Sequence, residues 1–285
     1  MSDNKQDWGW ARRDPDYVPP EIDTSKPSVA RVYDYFLGGK DNFAVDRQVA
    51  EMVLKTAPDA SDAGRANRAF LQRAVRFMAA EAGIRQFIDI GSGLPTQGNV
   101  HEVAQAVDSE ARIVYVDNDP IVLAHGQALL ATNGSTTVIQ ADLRDPEAIL
   151  GHPDLRRFID FDQPVGLLLL AILHHIRDDE DPAGLAARLL APLPSGSYLV
   201  ISHFHNPGEE HPDASAQALD AERIFNESLG CGRWRTREEI LGYFSGTEIL
   251  EPGLVPLAEW RAQPDDFTYS GITYHTFVGA VGRKN

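Results

Sequence analysis

Phe87-Ile88-Asp89-Ile90-Gly91-Ser92-Gly93-Leu94-Pro95-Thr96 joins an apolar strand, an acid and two close-set glycines, the pattern by which a Rossmann-type sheet opens a nucleotide site. Glycine lets the backbone turn sharply and approach a ligand that a Cβ would repel, and a following helix offers free N–H groups at its start. Such a turn suits an anionic or carboxylate group. The next apolar run, Ala111-Arg112-Ile113-Val114-Tyr115-Val116, ends in Asp117, 24 residues beyond Gly93. That is close to the spacing at which an acid meets ribose hydroxyls.

The same alternation continues outward from this pair. A helix carrying Val100, Val103, Ala104 and Val107 separates the first two strands, and Asp119-Pro120 introduces a second helix. Thr136 to Gln140 reads as a third strand ending near Asp142. Val165 to Leu173 is apolar on both faces, as a central parallel strand must be. Asp181-Pro182 caps a helix with Leu185, Leu189 and Leu190, and Gly196 to Phe204 returns as a fifth strand. The series predicts an α/β, doubly wound, mostly parallel sheet with right-handed crossovers. Glu248 to Leu257 and Thr273 to Val281 predict an antiparallel pair at one edge, and Thr236 with Glu239 forms a capping box.

Upstream, residues 1–27 hold Pro15, Pro19, Pro20 and Pro27 among charges, which suits an extended arm. Residues 28–85 form a helical cap: Val29, Val32 and Phe36 recur at helical spacing until Gly38-Gly39. A second helix begins near Ser61, with Phe70, Ala74, Phe77 and Met78 on one face and Gly83 as its stop. Residues 86–285 then make the main domain. Its composition, 43% hydrophobic over 285 residues, is that of an ordinary globular enzyme.

A net charge of −16 sets the surface against nucleic acid and anionic lipid. No run reaches the length of a membrane span, and no secretory leader is visible, so the expected location is the cytoplasm. The single cysteine, Cys231, excludes an internal disulfide and a cysteine-rich zinc site. Arg233, Arg235 and Arg237 around Trp234 read as a solvated surface cluster, with anion binding as the alternative. His203 and His205 lie on one side of the fifth strand near Glu209, Glu210 and His211; a substrate-lining or plain loop role is expected there rather than a metal.

Asp89, Gly91, Gly93, Asp117 and Asp142 converge on the carboxyl edge of such a sheet, and here the chain resembles the class I S-adenosylmethionine-dependent methyltransferases. The resemblance implies that Gly91, Ser92 and Gly93 pass under the methionine part of the cofactor, with Asp89 shaping that end. It implies that Asp117 binds the ribose, Asn118 lies by the adenine, and Asp142 with Leu143 meets the adenine edge. Leu170-Ala171-Ile172-Leu173-His174-His175 looks like the strand end that lines the transfer site in many small-molecule methyltransferases. Ala171 would then touch the cofactor, and His174 or His175 the substrate. The alternative is that one histidine packs in the core and the other is solvated.

A closer likeness rests on Ala30-Arg31-Val32-Tyr33-Asp34-Tyr35-Phe36-Leu37-Gly38-Gly39-Lys40-Asp41-Asn42-Phe43, on Asn99-Val100-His101-Glu102, and on Tyr115-Val116-Asp117-Asn118-Asp119-Pro120. Together with Asp89 to Thr96 these resemble the S-adenosyl methyltransferase family, mostly actinobacterial and long catalogued as a domain of unknown function. The resemblance implies the methyltransferase fold and S-adenosyl-L-methionine as cofactor but no substrate; the expected acceptor is an unidentified small molecule, methylated by direct in-line attack. His174 is the candidate catalytic group, and Tyr33, Lys40, Asn42, His175 and His203 are candidates for lid or substrate contacts; for the turn at Lys40 to Asn42 a purely structural role is the alternative. Pro95 and Thr96 stand where generic methyltransferase and dinucleotide fingerprints carry a third glycine. Pro95 suits the first turn of the next helix, whereas bulk at Thr96 disfavours a pyrophosphate. The alternatives to an S-adenosylmethionine enzyme are an NAD(P)-dependent oxidoreductase and a non-catalytic S-adenosylmethionine-binding regulator.

Overall fold

A computed structural model describes residues 23–95, 98–130 and 134–285. Most of the expected arm, and Thr96, lie outside these. The sheet is built from β1 (Gln86–Ile90), β2 (Arg112–Asp117), β3 (Thr136–Gln140), β4 (Gly166–Leu170), β5 (Tyr198–Phe204), β6 (Thr247–Ile249), β7 (Val255–Pro256) and β8 (Phe277–Lys284). Its order is β3-β2-β1-β4-β5-β8-β6, with β7 also on β8. The first five strands are parallel, and β8 runs antiparallel to β5, β6 and β7. The chain thus winds from β1 outward through β2 to β3, then returns to β4 on the other side. That reversal opens a crevice above the carboxyl ends of β1 and β4.

The helices are α1 (Val29–Phe36), α2 (Ala44–Thr56), α3 (Ala60–Ala80), α4 (Val100–Gln105), α5 (Pro120–Leu130), α6 (Pro146–Gly151), α7 (Pro153–Phe158), α8 (Pro182–Leu190), α9 (Pro212–Leu229) and α10 (Arg237–Gly242). Strand alternation sorts the core into two layers. Ile88, Ile90, Leu167 and Leu169 pack with Ile149, Leu155, Leu185 and Leu189 from α6, α7 and α8. Phe87, Leu168 and Leu170 face the other way, against Phe70, Ala74 and Met78 of α3 and Val100 of α4. Each large apolar side chain buried in this way contributes about 1.5–3 kcal/mol. Asp89 shares the face of Phe87, so its carboxylate is delivered to the layer roofed by α3.

The five parallel strands fall where the pattern predicts them; helices α6 and α7 between β3 and β4 were not anticipated, and the following differences also appear. Strand β4 stops at Leu170 rather than Leu173, because Ala171 takes a left-handed φ of +54° and Leu173–His175 forms a 3-10 turn. Helix α2 was not anticipated. It docks through Asp46, whose carboxylate accepts Arg31 Nε (2.8 Å), Ser28 N (2.9 Å) and Phe43 N (2.8 Å), a buried charge with its partners in place. Pro95 is not in the first turn of the next helix: α4 begins at Val100, where Glu102 accepts from the Gly98 and Asn99 amides. Among the described residues no helix is long and apolar enough to cross a membrane.

Candidate functional site

The turn after β1 is held by β2. Gly91 N and Ser92 N donate to Val116 O at 2.8 and 3.3 Å, and Gly93 N donates to Asp117 Oδ2 at 2.9 Å. Both glycines are left-handed, with φ of +72° and +66°, for different reasons. A Cβ on Gly91 would lie 2.6 Å from Ile172 Cγ1, whereas one on Gly93 would enter open space. Asp117 Oδ1 accepts the Asp119 amide at 2.9 Å, so each carboxylate oxygen holds one N–H and keeps a lone pair for a ligand. Burial pushes Asp117 up to about 6. Asp89 is pushed up to about 7, by burial first and then by Asp117, against the pull of Arg68.

These groups wall a cavity of about 370 Å³ above the carboxyl ends of β1, β2 and β4, closed by α1, α3 and α9. Asp89, Gly91, Ser92, Gly93, Asp117, Asn118 and Ala171 all line it. A second cavity of about 190 Å³ shares Gly91, Asp117 and Asn118 with it and adds Asp142, Leu143 and Ile176. There Asn118 Nδ2 donates to Asp142 Oδ2 (3.1 Å), whose other oxygen accepts Arg144 N (2.9 Å). The pair of cavities fits a nucleoside: an amide-anchored carboxylate for a sugar, and a slot with Leu143, Ile172 and Ile176 on its walls for a base.

At the other end of the larger cavity stand His174 and His175. Their hydrogen bonds fix opposite tautomers. His174 Nδ1 accepts the Phe204 amide at 3.2 Å, so the neutral ring carries its proton on Nε2. His175 Nδ1 lies 3.0 Å from the Cys231 carbonyl, which can only accept, so its proton is on Nδ1 and Nε2 keeps a lone pair. Burial holds both rings neutral, His174 well below the ordinary histidine value and His175 at about 4. His174 stacks on Phe204 (centroids 3.5 Å), and Phe204 on Trp234 (4.2 Å).

The other predicted site residues are placed as follows. Tyr33 lines the larger cavity and donates to Gly64 O; its hydroxyl accepts Asn67 Nδ2 (3.0 Å). Asn67 Oδ1 in turn accepts Ser202 Oγ, which takes the Ala171 amide. That chain ties α1 to the end of β4. Lys40 is exposed and lines neither cavity. Asn42 is turned inward to Asp34 Oδ2 (2.8 Å) and Gly39 O, so it braces its own turn. His203 also lines neither cavity. Fully buried, it sits behind His174, with Nδ1 on Phe204 O and Nε2 accepting Arg235 Nη1 (3.2 Å). Arg235 corrects the surface reading of its cluster: only 2% exposed, it also donates to Leu173 O, Ile176 O and Asp178, pinning the histidine turn. Sequence reasoning missed Arg68 and Asn67 on α3, and Gln217 and Phe225 on α9, as cavity walls. Among the described residues no group of His, Cys, Asp and Glu is arranged to hold a metal ion.

A reversed parallel sheet with antiparallel strands at one side, N-terminal helices and a crevice above the carboxyl ends of its strands defines a Rossmann-like protein of the class I methyltransferase type. Residues 15–285 match the S-adenosyl methyltransferase family model, and the chain belongs to that family. It is an S-adenosyl-L-methionine-dependent methyltransferase. Its solved relatives include a DUF574 family protein from Streptomyces avermitilis, 40% identical, with 93% of this chain and 100% of that one aligned at a TM-score of 0.86. A candidate methyltransferase from Thermobifida fusca is 45% identical over 94% and 99% of the two chains, at 0.87. An O-methyltransferase family protein from Burkholderia thailandensis shares the fold at 13% identity and 0.53, over 91% of this chain and 64% of that one. No curated protein matches the sequence. Neither alternative, the oxidoreductase nor the non-catalytic regulator, finds support in these relatives.

Proposed function

We propose that the acceptor is a small molecule held in the larger cavity, and that its nucleophilic atom takes the methyl group by direct in-line displacement. The observation that carries this reading is one continuous space with polar acids at the β1 and β2 end and aromatic walls at the other. The bound sulfonium supplies an activated methyl group, so orientation does most of the work that remains. S-adenosylmethionine held there would supply the methyl carbon and keep the bonding pair on its sulfur, and the acceptor atom that takes the methyl group would give up its proton. Asp117 binds the ribose, the Gly91 to Gly93 turn and Asp89 border the methionine end, and Asp142 with Leu143 meets the base. His174 offers Nε2–H as a donor, not a base. His175 Nε2 is the unprotonated nitrogen of the pair, so it is the group able to receive the acceptor's proton before solvent takes it. Titration calorimetry with S-adenosylhomocysteine and NAD tests the cofactor half: one site for the first and none for the second is expected. Mass spectrometry after incubation with S-adenosylmethionine and small-molecule pools tests the acceptor half. Methylation confined to a macromolecule would refute it.

A further inference from the structure

The cavity is chemically divided, and the division specifies an acceptor. Its charged residues, Arg68, Asp89, Asp117 and Asp119, come from α3 and the ends of β1 and β2. The opposite walls carry Phe36, Val53, Phe204, Phe225, Trp234 and Phe277, with no charged side chain among the described residues that line that end. Three rings, His174, Phe204 and Trp234, form a stacked column with interplanar angles of 10° and 12°, and Phe225 meets Phe204 edge-on at 83°. A charged acceptor would lose its hydration there without a counterion, whereas a planar apolar ring gains contact area and ring–ring geometry.

Besides the two histidines, one further polar side chain reaches this apolar end. Gln217 of α9 helps to line the cavity, is only 7% exposed, and its Oε1 has no hydrogen-bond partner. The two threonines nearby in the wall are already committed: Thr273 Oγ1 donates to Asp59 Oδ2 (2.7 Å) and Thr276 Oγ1 to Thr273 O (3.2 Å). A buried amide oxygen left unpaired destabilises the empty protein and is relieved when a donor arrives. We propose that the acceptor is an uncharged aromatic compound bearing a hydroxyl or N–H group, and that the Gln217 amide turns about its terminal bond to bring the enclosed Oε1 to the cavity face, where it accepts the hydrogen bond from that group. This inference rests on the methyltransferase reading of the same cavity.

The test uses the full chain saturated with S-adenosylhomocysteine and three probes of one shape: 2-naphthol, 2-methoxynaphthalene and 2-naphthoate. Calorimetry should find 2-naphthol bound about tenfold or more tighter than either of the others. In Q217L the preference for 2-naphthol over 2-methoxynaphthalene should vanish, with S-adenosylhomocysteine affinity unchanged and a melting temperature equal to or above that of the parent. Q217M, which also lacks the carbonyl, should behave alike. Absence of 2-naphthol binding in the loaded protein, tighter binding of 2-naphthoate, or a preference that survives in Q217L overturns the proposal. So does a lowered melting temperature in both variants, which would mean that the protein itself satisfies Gln217. Failure of the parent to bind S-adenosylhomocysteine would instead strike the cofactor assignment.

Discussion

Alanine placed singly at Gly91 and at Gly93 separates what the fold demands of the turn from what the ligand demands. Both positions are left-handed, which costs a residue with a Cβ about 1–2 kcal/mol. At Gly91 the new methyl would also meet Ile172, 2.6 Å from Cγ1 and 2.7 Å from Cδ1. Such crowding in a packed wall adds about 1–3 kcal/mol. At Gly93 nothing lies within 4 Å, so G93A keeps only the conformational cost, and its methyl projects into the space beside Asp117. Urea unfolding should therefore rank the parent above G93A and G93A above G91A, with G91A down by about 2–5 kcal/mol in total. Calorimetry should show G93A, still folded, binding S-adenosylhomocysteine roughly tenfold to a hundredfold more weakly, as expected when a methyl overpacks a ligand. A G93A protein that binds the ligand like the parent would refute the claim that the turn cups it. Equal stability of the two variants would refute the division of roles between the glycines.

Asp117→Asn keeps the side chain's shape while removing its charge, and should weaken S-adenosylhomocysteine binding by about 1.5–3 kcal/mol, measured by calorimetry. The same affinity should depend on pH. Asp89 and Asp117 are raised in the folded chain to about 7 and about 6, above the ordinary 3.8. Their contribution to the stability of the ligand-free protein is therefore fully present below pH ~4 and lost as pH rises through 6 and 7. Binding that needs the Asp117 carboxylate ionised runs the other way, weakening by up to about tenfold per pH unit below about pH 6. A flat profile between pH 5 and 8 in the parent would contradict the ribose assignment, and D117N should flatten it. Arg235→Met would leave two carbonyl oxygens and His203 Nε2 without their donor, costing at least about 3 kcal/mol in thermal or urea unfolding. Arg235→Lys should recover little of this, since one ammonium cannot span that fork. Parent-like stability in R235K would refute the fork argument.

What was legible in the sequence and what was not follows from how far each signal reaches along the chain. Strands β1 to β5 are short apolar runs between turn residues, so their physics is local, and the glycine turn and Asp117 announce themselves through spacing. Helix α2 escaped because its docking depends on Asp46 meeting Arg31, an ion pair that reads in the sequence as two unrelated surface charges. The histidines show the limit more sharply. His174, His175 and His203 are similar as letters, yet each ring's chemistry is set by a partner its own neighbourhood does not announce: the Phe204 amide, the Cys231 carbonyl and the Arg235 guanidinium. The aromatic column and Gln217 come from the turn after β4, from β5, from α9 and from the segment bearing Trp234, and no spacing rule joins them. The half of the site proposed for the cofactor is thus written in local motifs along the sheet edge. The half proposed for the acceptor is written in tertiary contacts, where a buried amide stands among rings.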